Sequence, residues 1–308
     1  MPAFLARLLY ALAALFSRLP WRWQRAVAAA LAMAWNRLDA RESRVARQNL
    51  AIAYPDALPA EREIWHAAVL RTTALQFVET LRFWTRPAAA NLALIRESHG
   101  TALFDDALAS GRGLIVAAPH YGNWELLNQW LAARTPISVL YRAPESAVGE
   151  AFLRRVRANA GDRVTQIRAD GAAVRHLVRL LRGGGVTGIL PDQQPKAGEG
   201  EYAPFFGTRA LTMTLLGRLA AKTGATVLFA YCERIGDGPD FALRIEPAPP
   251  GLTDADPRTA VAALNQAVER IARRDPAQYQ WTYKRYSIRP PGSGERYPYP
   301  KAHEETAG

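Results

Sequence analysis

The stretch LIVAAPHYGNWELLNQW, residues 114–130, decides the fold. It begins with a short apolar run that is soon ended by a proline, which is typical of a buried strand. Asn123 is a favoured residue for the N-cap of a helix, and the residues that follow it have a helical composition. The stretch therefore predicts a strand, then a loop that carries His120 and Gly122, then a helix.

The same alternation of strands and helices extends in both directions from this stretch. We predict strands at 114–117, 137–141, 164–167, 186–190, 226–231 and 242–245, and helices at 103–110, 124–133, 148–160, 171–182, 211–223 and 257–273. Alternation of this kind implies crossover connections, and so an α/β fold with a mostly parallel central sheet flanked by helices. The short GDGPD turn favours an antiparallel pairing of the last two strands.

The first 35 residues differ from the rest of the chain. Two apolar runs, FLARLLYALAALF and AVAAALAMAW, flank a segment rich in tryptophan and arginine, SRLPWRWQR. Neither run reaches the ~20 residues that a membrane-spanning helix needs. Tryptophan and arginine are residues of the membrane interface, so we predict a membrane-associated helical segment over 1–35. The alternative is two amphipathic helices packed on the domain. A main domain with a helical start and an α/β core is expected over 36–290, and an extended tail over 291–308.

The charge of the chain points to an anionic partner. Its 308 residues include 39 Lys+Arg and 28 Asp+Glu, which gives a net charge of +11. Nucleic acid, an anionic membrane surface and an acidic protein or substrate would each suit this surplus. The single cysteine excludes an internal disulfide, and the five scattered histidines without an HExxH pattern argue against a metal site.

His120 and Glu125 are the first candidates for chemistry. A residue just past the carboxyl end of a strand lies where open α/β sheets bind ligands. The two residues can meet only if the chain reverses at Gly122 before the helix begins, because positions five apart on one helix lie about 140° apart. A carboxylate can then orient an imidazole that accepts a proton from a hydroxyl. The alternative is a loop histidine followed by a glutamate that the helix dipole favours.

Three further segments carry candidate residues. Asp192 and Gln193 follow a predicted strand and begin a long loop, after which Thr208 or Arg209 is expected to open a helix suited to an anion. Arg142 follows the strand ISVLY. The aromatic and basic stretch PAQYQWTYKRYS carries Lys284 and Arg285, which suit a phosphate-bearing ligand or simple packing.

Several familiar motifs do not apply. The stretch GGGVTG satisfies GxGxxG but lies between a helix and a following strand, which is the reverse of the order in a dinucleotide-binding motif. The chain has no phosphate-binding GxxxxGK[ST] loop and no GxSxG nucleophile motif. Direct transfer to an incoming hydroxyl is therefore the simplest chemistry for the His/Glu pair.

With these four segments in order, the sequence resembles the late acyltransferases of bacterial lipid A biosynthesis, within the lysophospholipid acyltransferase superfamily. The matching blocks are H-YGNW-E (His120 to Glu125), the YR at 141–142, ILPDQQP with PFFGTRALT (residues 189–212), and QYQWTYKRY (residues 278–286). The resemblance implies a transferase on the cytoplasmic face of the bacterial inner membrane. It would move an acyl chain from acyl carrier protein to a hydroxyl of an anionic lipid A precursor, with no cofactor and no metal.

The resemblance also implies residue roles. His120 would be the general base and Glu125 its orienting carboxylate. Arg142 would bind a phosphate or the developing oxyanion, and Asp192 would position Arg142 or another arginine. The predicted substrate-binding residues are Asn123, Arg142, Asp192, Gln193, Arg209, Lys284 and Arg285.

Three other functions fit parts of the sequence. A glycerolipid acyltransferase acting on a lysophosphatidate, or one acting on another glycolipid, shares the His/carboxylate signature, but the glycerolipid enzymes usually carry Glu-Gly-Thr-Arg where this chain has PDQQ. A non-catalytic membrane-surface protein would need only the basic charge and the amphipathic start. A nucleic-acid binder would suit the charge, but the chain has no recognised binding motif, so no nucleic-acid partner is expected.

Overall fold

The structure is a computed structural model that describes residues 1–141, 146–158, 163–168 and 173–299. The helices are α1 (Pro2–Ser17), α2 (Trp21–Arg37), α3 (Arg41–Ala53), α4 (Pro59–Thr85), α5 (Ala88–Leu92), α6 (Thr101–Ala109), α7 (Trp124–Arg134), α8 (Ala147–Ala158), α9 (Ala173–Arg182), α10 (Leu215–Thr223) and α11 (Pro257–Ala272), followed by a 3₁₀ turn (Pro276–Gln278). The strands are β1 (Ile95–His99), β2 (Leu114–Ala117), β3 (Ile137–Tyr141), β4 (Val164–Arg168), β5 (Val186–Ile189), β6 (Gly200–Phe205), β7 (Thr208–Met213), β8 (Thr226–Ile235) and β9 (Asp240–Pro247).

The chain divides into two compact units. The first contains Met1–Ala28, Leu75–Pro191 and Leu216–Ala248, and the second contains Ala29–Ala74, Asp192–Leu215 and the residues from Pro249 onward. Helices α2 and α4 each contribute residues to both units. The division expected from the sequence, with boundaries near residues 35 and 290, stays a prediction.

The first unit is built around a seven-stranded sheet in the order β1-β9-β8-β2-β5-β3-β4. Neighbouring strands from β8 to β4 pair in parallel. Strand β9 pairs antiparallel with β8, and edge strand β1 is parallel to β9. The predicted α/β class with a mostly parallel sheet is therefore confirmed, as is the antiparallel last pair. Strand β1 was not predicted, because IRESH has no apolar alternation and four of its five residues are exposed.

The sheet has a switch point between β2 and β5. From β2 the chain continues to β3 on one side, whereas from β5 it continues, through the second unit, to β8 on the other side. Open α/β sheets bind ligands at the carboxyl ends of strands where the connections diverge in this way. Strand β2 is buried along its whole length, and its residues Leu114 and Val116 belong to the apolar core. The residues just after β2 are therefore the natural place for a functional site in this unit.

Helix α1 packs against α8 through one narrow side and leaves its apolar side exposed. Ala6, Ala13 and Ser17 are buried, and the ring centroids of Tyr10 and Phe152 lie 6.5 Å apart. The exposed apolar side chains of this helix are Phe4, Leu5, Leu8, Leu9, Leu12 and Leu15. Within the described part of the chain no single helix has the length and apolar content to cross a bilayer, although α1 and α2 together, bent by 116° at their junction, meet those criteria.

The second unit contains a hairpin where the sequence predicts a loop and a helix start. The expected long loop ending in a helix at Thr208 or Arg209 is wrong, because residues 200–213 form the antiparallel hairpin of β6 and β7. Phe206 and Gly207 form its two-residue turn, with φ of +50° and +73°. A phenylalanine rarely adopts positive φ, so the pair Phe206–Gly207 is not a usual signal for a two-residue hairpin turn. Helix α10 accordingly begins at Leu215 and not at Leu211.

Candidate active site

The loop after β2 carries His120 at the carboxyl edge of the sheet. The backbone N–H of Ala118 still donates to the carbonyl oxygen of Ile189 on β5, at 2.9 Å, so pairing continues for one residue past the strand. His120 follows two residues later and is half-buried. The next residue, Tyr121, is fully buried and donates its hydroxyl to Glu233 on β8 at 2.6 Å. The loop is thus held on both sides of β2.

The chain reverses at Gly122, as predicted. Its φ is +63°, and a Cβ atom on this residue would lie 2.0 Å from the carbonyl oxygen of Cys232. The same carbonyl accepts the backbone N–H of Asn123 at 2.7 Å. Only glycine allows both the backbone angle and this close approach to β8.

Asn123 is the N-cap of α7, which confirms the predicted helix start. Its side-chain oxygen accepts the backbone N–H of Leu126 at 3.1 Å. Glu125 therefore falls in the first turn, where the helix dipole favours a carboxylate, and its side chain is half-buried. His120 and Glu125 lie on either side of the reversal, one in the loop and one on the helix. Asn123 itself is 3% exposed and bonded through both ends of its amide, so its prediction as a substrate contact has no support from this geometry.

A buried carboxylate, which no local sequence pattern indicates, lies beside this loop. Glu79 on α4 is 1% exposed, accepts a hydrogen bond from the side chain of Asn123 and pairs with Arg234 on β8. Its partners are 44 and 155 positions away along the chain, so no local pattern indicates the contact. Arg142 lies outside the described residues.

Asp192 and Gln193 are the first residues of the second unit after Pro191. Asp192 is 4% exposed and accepts a hydrogen bond from Tyr279. The next residue but one, Gln194, donates its backbone N–H to the hydroxyl of Tyr283 at 3.0 Å. Burial raises the pKa of Tyr279 well above its usual value, and the negative charge of Asp192 adds to that effect. Tyr279 is therefore a neutral donor that holds Asp192 at every physiological pH.

The predicted phosphate contacts in the second unit have different surroundings. Arg209 is exposed on β7 and pairs with Glu295 at 2.7 Å. Lys284 is half-buried and donates to the hydroxyl of Tyr297 at 3.0 Å. Arg285 is 2% exposed, donates to the carbonyl oxygen of Leu211 at 2.6 Å, and also contacts Thr212. In this structure Arg285 thus holds β7 in place, whereas Arg209 and Lys284 have accessible surface.

The site can support acid–base chemistry through His120. Histidine is the side chain that enzymes use most often as a general base, and Glu125 is the carboxylate that the reversal places on the following helix. Among the described residues no cluster of histidine, cysteine and acidic side chains is arranged to hold a metal ion. The prediction that no metal or cofactor takes part was made from the sequence and stays a prediction.

Comparison with known proteins places the chain in a family. Residues 2–287 match the sequence profile described as bacterial lipid A biosynthesis acyltransferase. The chain is 28% identical over 270 residues to the lipid A biosynthesis palmitoleoyltransferase of Escherichia coli (strain K12), covering 86% of this chain and 85% of that protein. It is 25% identical over 281 residues to the lipid A biosynthesis myristoyltransferase of the same organism, with 90% and 85% covered.

A third relative has a different name. The chain is 29% identical over 167 residues to the phosphatidylinositol mannoside acyltransferase of Mycobacterium tuberculosis (strain CDC 1551 / Oshkosh), which covers 53% of this chain and 50% of that protein. The match of the family profile extends over nearly all of the sequence and includes the β2–α7 loop and the blocks around Asp192 and Arg285. The chain therefore belongs to the bacterial lipid A biosynthesis acyltransferase family.

Proposed function

We propose that this protein transfers a fatty acyl chain from the thioester of acyl carrier protein to a hydroxyl of a lipid A precursor. The observation that carries the proposal is the β2–α7 loop, where a reversal possible only at a glycine separates His120 from Glu125 at the switch point of the sheet. Membership of the acyltransferase family supports the same chemistry.

The proposed mechanism is direct transfer. His120 accepts the proton of the acceptor hydroxyl while that oxygen attacks the thioester carbonyl. The tetrahedral intermediate collapses by breaking the carbon–sulfur bond, and the imidazolium of His120 returns its proton to the departing thiolate of the carrier. Glu125 orients the imidazole and stabilises its cation. No acyl-enzyme forms and no redox partner is needed.

Three of the predicted residues, Arg142, Arg209 and Lys284, would bind the anionic parts of the substrates. Arg142 is proposed to contact a phosphate or the developing oxyanion, Asp192 to position Arg142 or another arginine, and Gln193 to contact substrate. Arg209 and Lys284 are proposed phosphate contacts, because both have accessible surface and arginine and lysine bind phosphate well. Arg285, which is buried, supports that contact surface by fixing β7.

The N-terminal segment is proposed to hold the enzyme on the inner membrane at its cytoplasmic face. The six exposed apolar residues of α1 lie within about 140° of one another on the helix at 100° per residue. Such a one-sided apolar surface suits burial in the acyl-chain boundary of a bilayer. The net charge of +11 suits an anionic surface and an acidic carrier protein.

Mass spectrometry of lipid A from a strain that lacks the protein tests the proposal. The expected result is lipid A that lacks one acyl chain, restored by the wild-type gene and not by the His120→Ala variant. A purified assay that offers a lipid A precursor and a lysophosphatidate in parallel separates the glycerolipid alternative. Unchanged lipid A together with acylation of the lysophosphatidate would overturn the proposal. A preference for a mannoside acceptor would also overturn it, and the relative in Mycobacterium makes that acceptor worth testing.

A further inference from the structure

Helix α4 contacts the β2–α7 loop through two side chains on one face. Gln76 and Glu79 are three positions apart, so they point in the same direction. The side-chain amide of Gln76 donates to the carbonyl oxygen of Gly122. The carboxylate of Glu79 accepts the side-chain amide of Asn123 at 2.9 Å. Both residues of the reversal are therefore held from the same helix.

The orientation of the Asn123 amide follows from its neighbours. The backbone N–H of Leu126 can only donate, so the side-chain oxygen of Asn123 must face it. The amide nitrogen then faces Glu79, and an ionised carboxylate can only accept. The cap of α7 and the contact with α4 thus depend on one another.

Arg234 on β8 is the second partner of Glu79. Its guanidinium pairs with the second carboxylate oxygen of Glu79, and its Cζ lies 4.9 Å from the ring centroid of Phe241. A carboxylate that is almost fully buried costs free energy unless it is paired and hydrogen-bonded in this way. Glu79 therefore connects α4, β8 and the N-cap of α7 through a single side chain.

We propose that Glu79 is a positioning residue for the His120/Glu125 pair. By holding Asn123, it fixes the reversal at Gly122 and the direction in which α7 starts, and so the placement of Glu125 relative to His120. This inference rests on the proposed function for its effect on transfer, but the structural coupling itself can be measured without any substrate.

The first test measures hydrogen exchange of the backbone amides of Asn123 and Leu126 in Glu79→Gln. Glutamine keeps the shape of the side chain but removes the charge that pairs with Arg234. The expected result is exchange at least about tenfold faster at these two amides than in the wild type, while amides of β2 stay protected. Unchanged exchange at both amides would overturn the inference, whatever the transfer activity of the variant.

The second test measures turnover with acyl carrier protein as donor and a lipid A precursor as acceptor. A misplacement of about 1 Å costs roughly 10²-fold in rate, so Glu79→Gln should lower kcat by about that factor and change KM for either substrate less than about twofold. In a Glu125→Ala background the same change should lower kcat by less than about threefold, because the group that Glu79 positions is already gone. If Glu79→Gln lowered kcat by the same factor in the Glu125→Ala background as in the wild type, the positioning role would be overturned.

Asn91 supplies the matched control. It is a fully buried asparagine that also connects α4 with α7, since its amide donates to the carbonyl oxygen of Phe83 at 3.1 Å and to Gln129 at 3.0 Å. Asn91→Ala should lower stability while leaving kcat and the exchange of Asn123 and Leu126 unchanged. If Asn91→Ala lowered kcat as much as Glu79→Gln does, the inference would be overturned, because any weakening of the contact between α4 and α7 would then be enough to lower kcat.

A second variant covers the case in which Glu79→Gln does not fold. Asn123→Asp keeps the oxygen that caps α7 but places a second carboxylate opposite Glu79. It should lower kcat as Glu79→Gln does, and wild-type kcat in this variant would overturn the inference. If the wild-type protein shows no transfer at all, the proposed function fails, and the exchange measurement still decides whether Glu79 holds the loop.

Discussion

The backbone nitrogen of Asn123 lies 2.7 Å from the carbonyl oxygen of Cys232, which holds the turn after His120 against strand β8. That carbonyl is also the atom that a Cβ at position 122 would meet. The loop that carries the proposed base is therefore held in place by the neighbouring strand.

The change Gly122→Ala should move the loop and lower activity strongly. An L-residue at φ +63° costs roughly 1–2 kcal/mol, and the Cβ would also lie 2.0 Å from the carbonyl of Cys232. We expect a loss of transfer of at least about 10²-fold, measured with purified protein that still folds. The control is Gly111→Ala, which has the same φ of +63° but no atom within 4 Å of the added Cβ. A similar loss of transfer in Gly111→Ala would mean that backbone strain alone is responsible.

The thiol of Cys232 should be inert in the folded protein. It is the only cysteine, it is 0% exposed, and burial raises the pKa of its thiol above the usual value. Reaction with a thiol reagent should therefore be slow in buffer and fast in denaturant. The rate should rise in Gly122→Ala, since displacing the loop uncovers β8. Fast reaction of the native wild-type thiol would show that the contact between the loop and β8 is not stable.

The apolar face of α1 should bind anionic lipid vesicles. Leu12 and Leu15 are 53% and 64% exposed. Burying a leucine side chain contributes about 1.5–3 kcal/mol, so Leu12→Asp should weaken vesicle binding by at least about tenfold in a sedimentation assay. Leu103→Asp on α6, where the leucine is 38% exposed, is the control for the added charge. Equal losses in both variants would argue against a specific role of α1.

His66 should make the protein less stable in mild acid. Its side chain is buried against Ser43, with Nε2 3.1 Å from the hydroxyl, and burial followed by the charge of Arg47 lowers its pKa. The unfolded chain then binds more protons than the folded one below the ordinary histidine pKa of about 6.5, so the free energy of unfolding falls as pH falls through this window. Denaturant unfolding at about pH 7.5 and about pH 5.5 should show a smaller fall in His66→Gln than in the wild type. His176→Gln, at an exposed position of α9, is the control, and an unchanged pH dependence in His66→Gln would contradict the assignment.

Local signals in the sequence were enough to predict the β2–α7 loop. The apolar run of β2, the glycine at 122 and the capping asparagine at 123 each act within a few residues, and the structure follows all three. The hairpin of β6 and β7 was missed for the opposite reason. Its turn places Phe206 at φ +50°, a conformation held by packing on Tyr54 and Trp281 and by Glu269, which accepts its backbone N–H at 2.6 Å. Those partners are far away in sequence.

Charged residues were harder to interpret than turns. Glu79 looks like an ordinary polar position of a helix, and only the tertiary structure places it against Asn123 and Arg234. Arg285 was expected at a phosphate, but the structure buries it among Leu211, Thr212 and Asn265. The sequence around it has no periodicity that would indicate which side chains point inward.

The most direct test of the account is the transfer activity of His120→Ala and Glu125→Ala. Two exposed residues give matched controls: His176→Ala on α9, and Glu150→Ala, since Glu150 occupies the first turn of α8 as Glu125 does in α7. We predict that His120→Ala and Glu125→Ala both fold, as judged by circular dichroism and thermal unfolding, and that each lowers the transfer rate about 10²–10⁴-fold. The two control variants should keep wild-type turnover. Near-wild-type turnover in folded His120→Ala or Glu125→Ala would contradict the account.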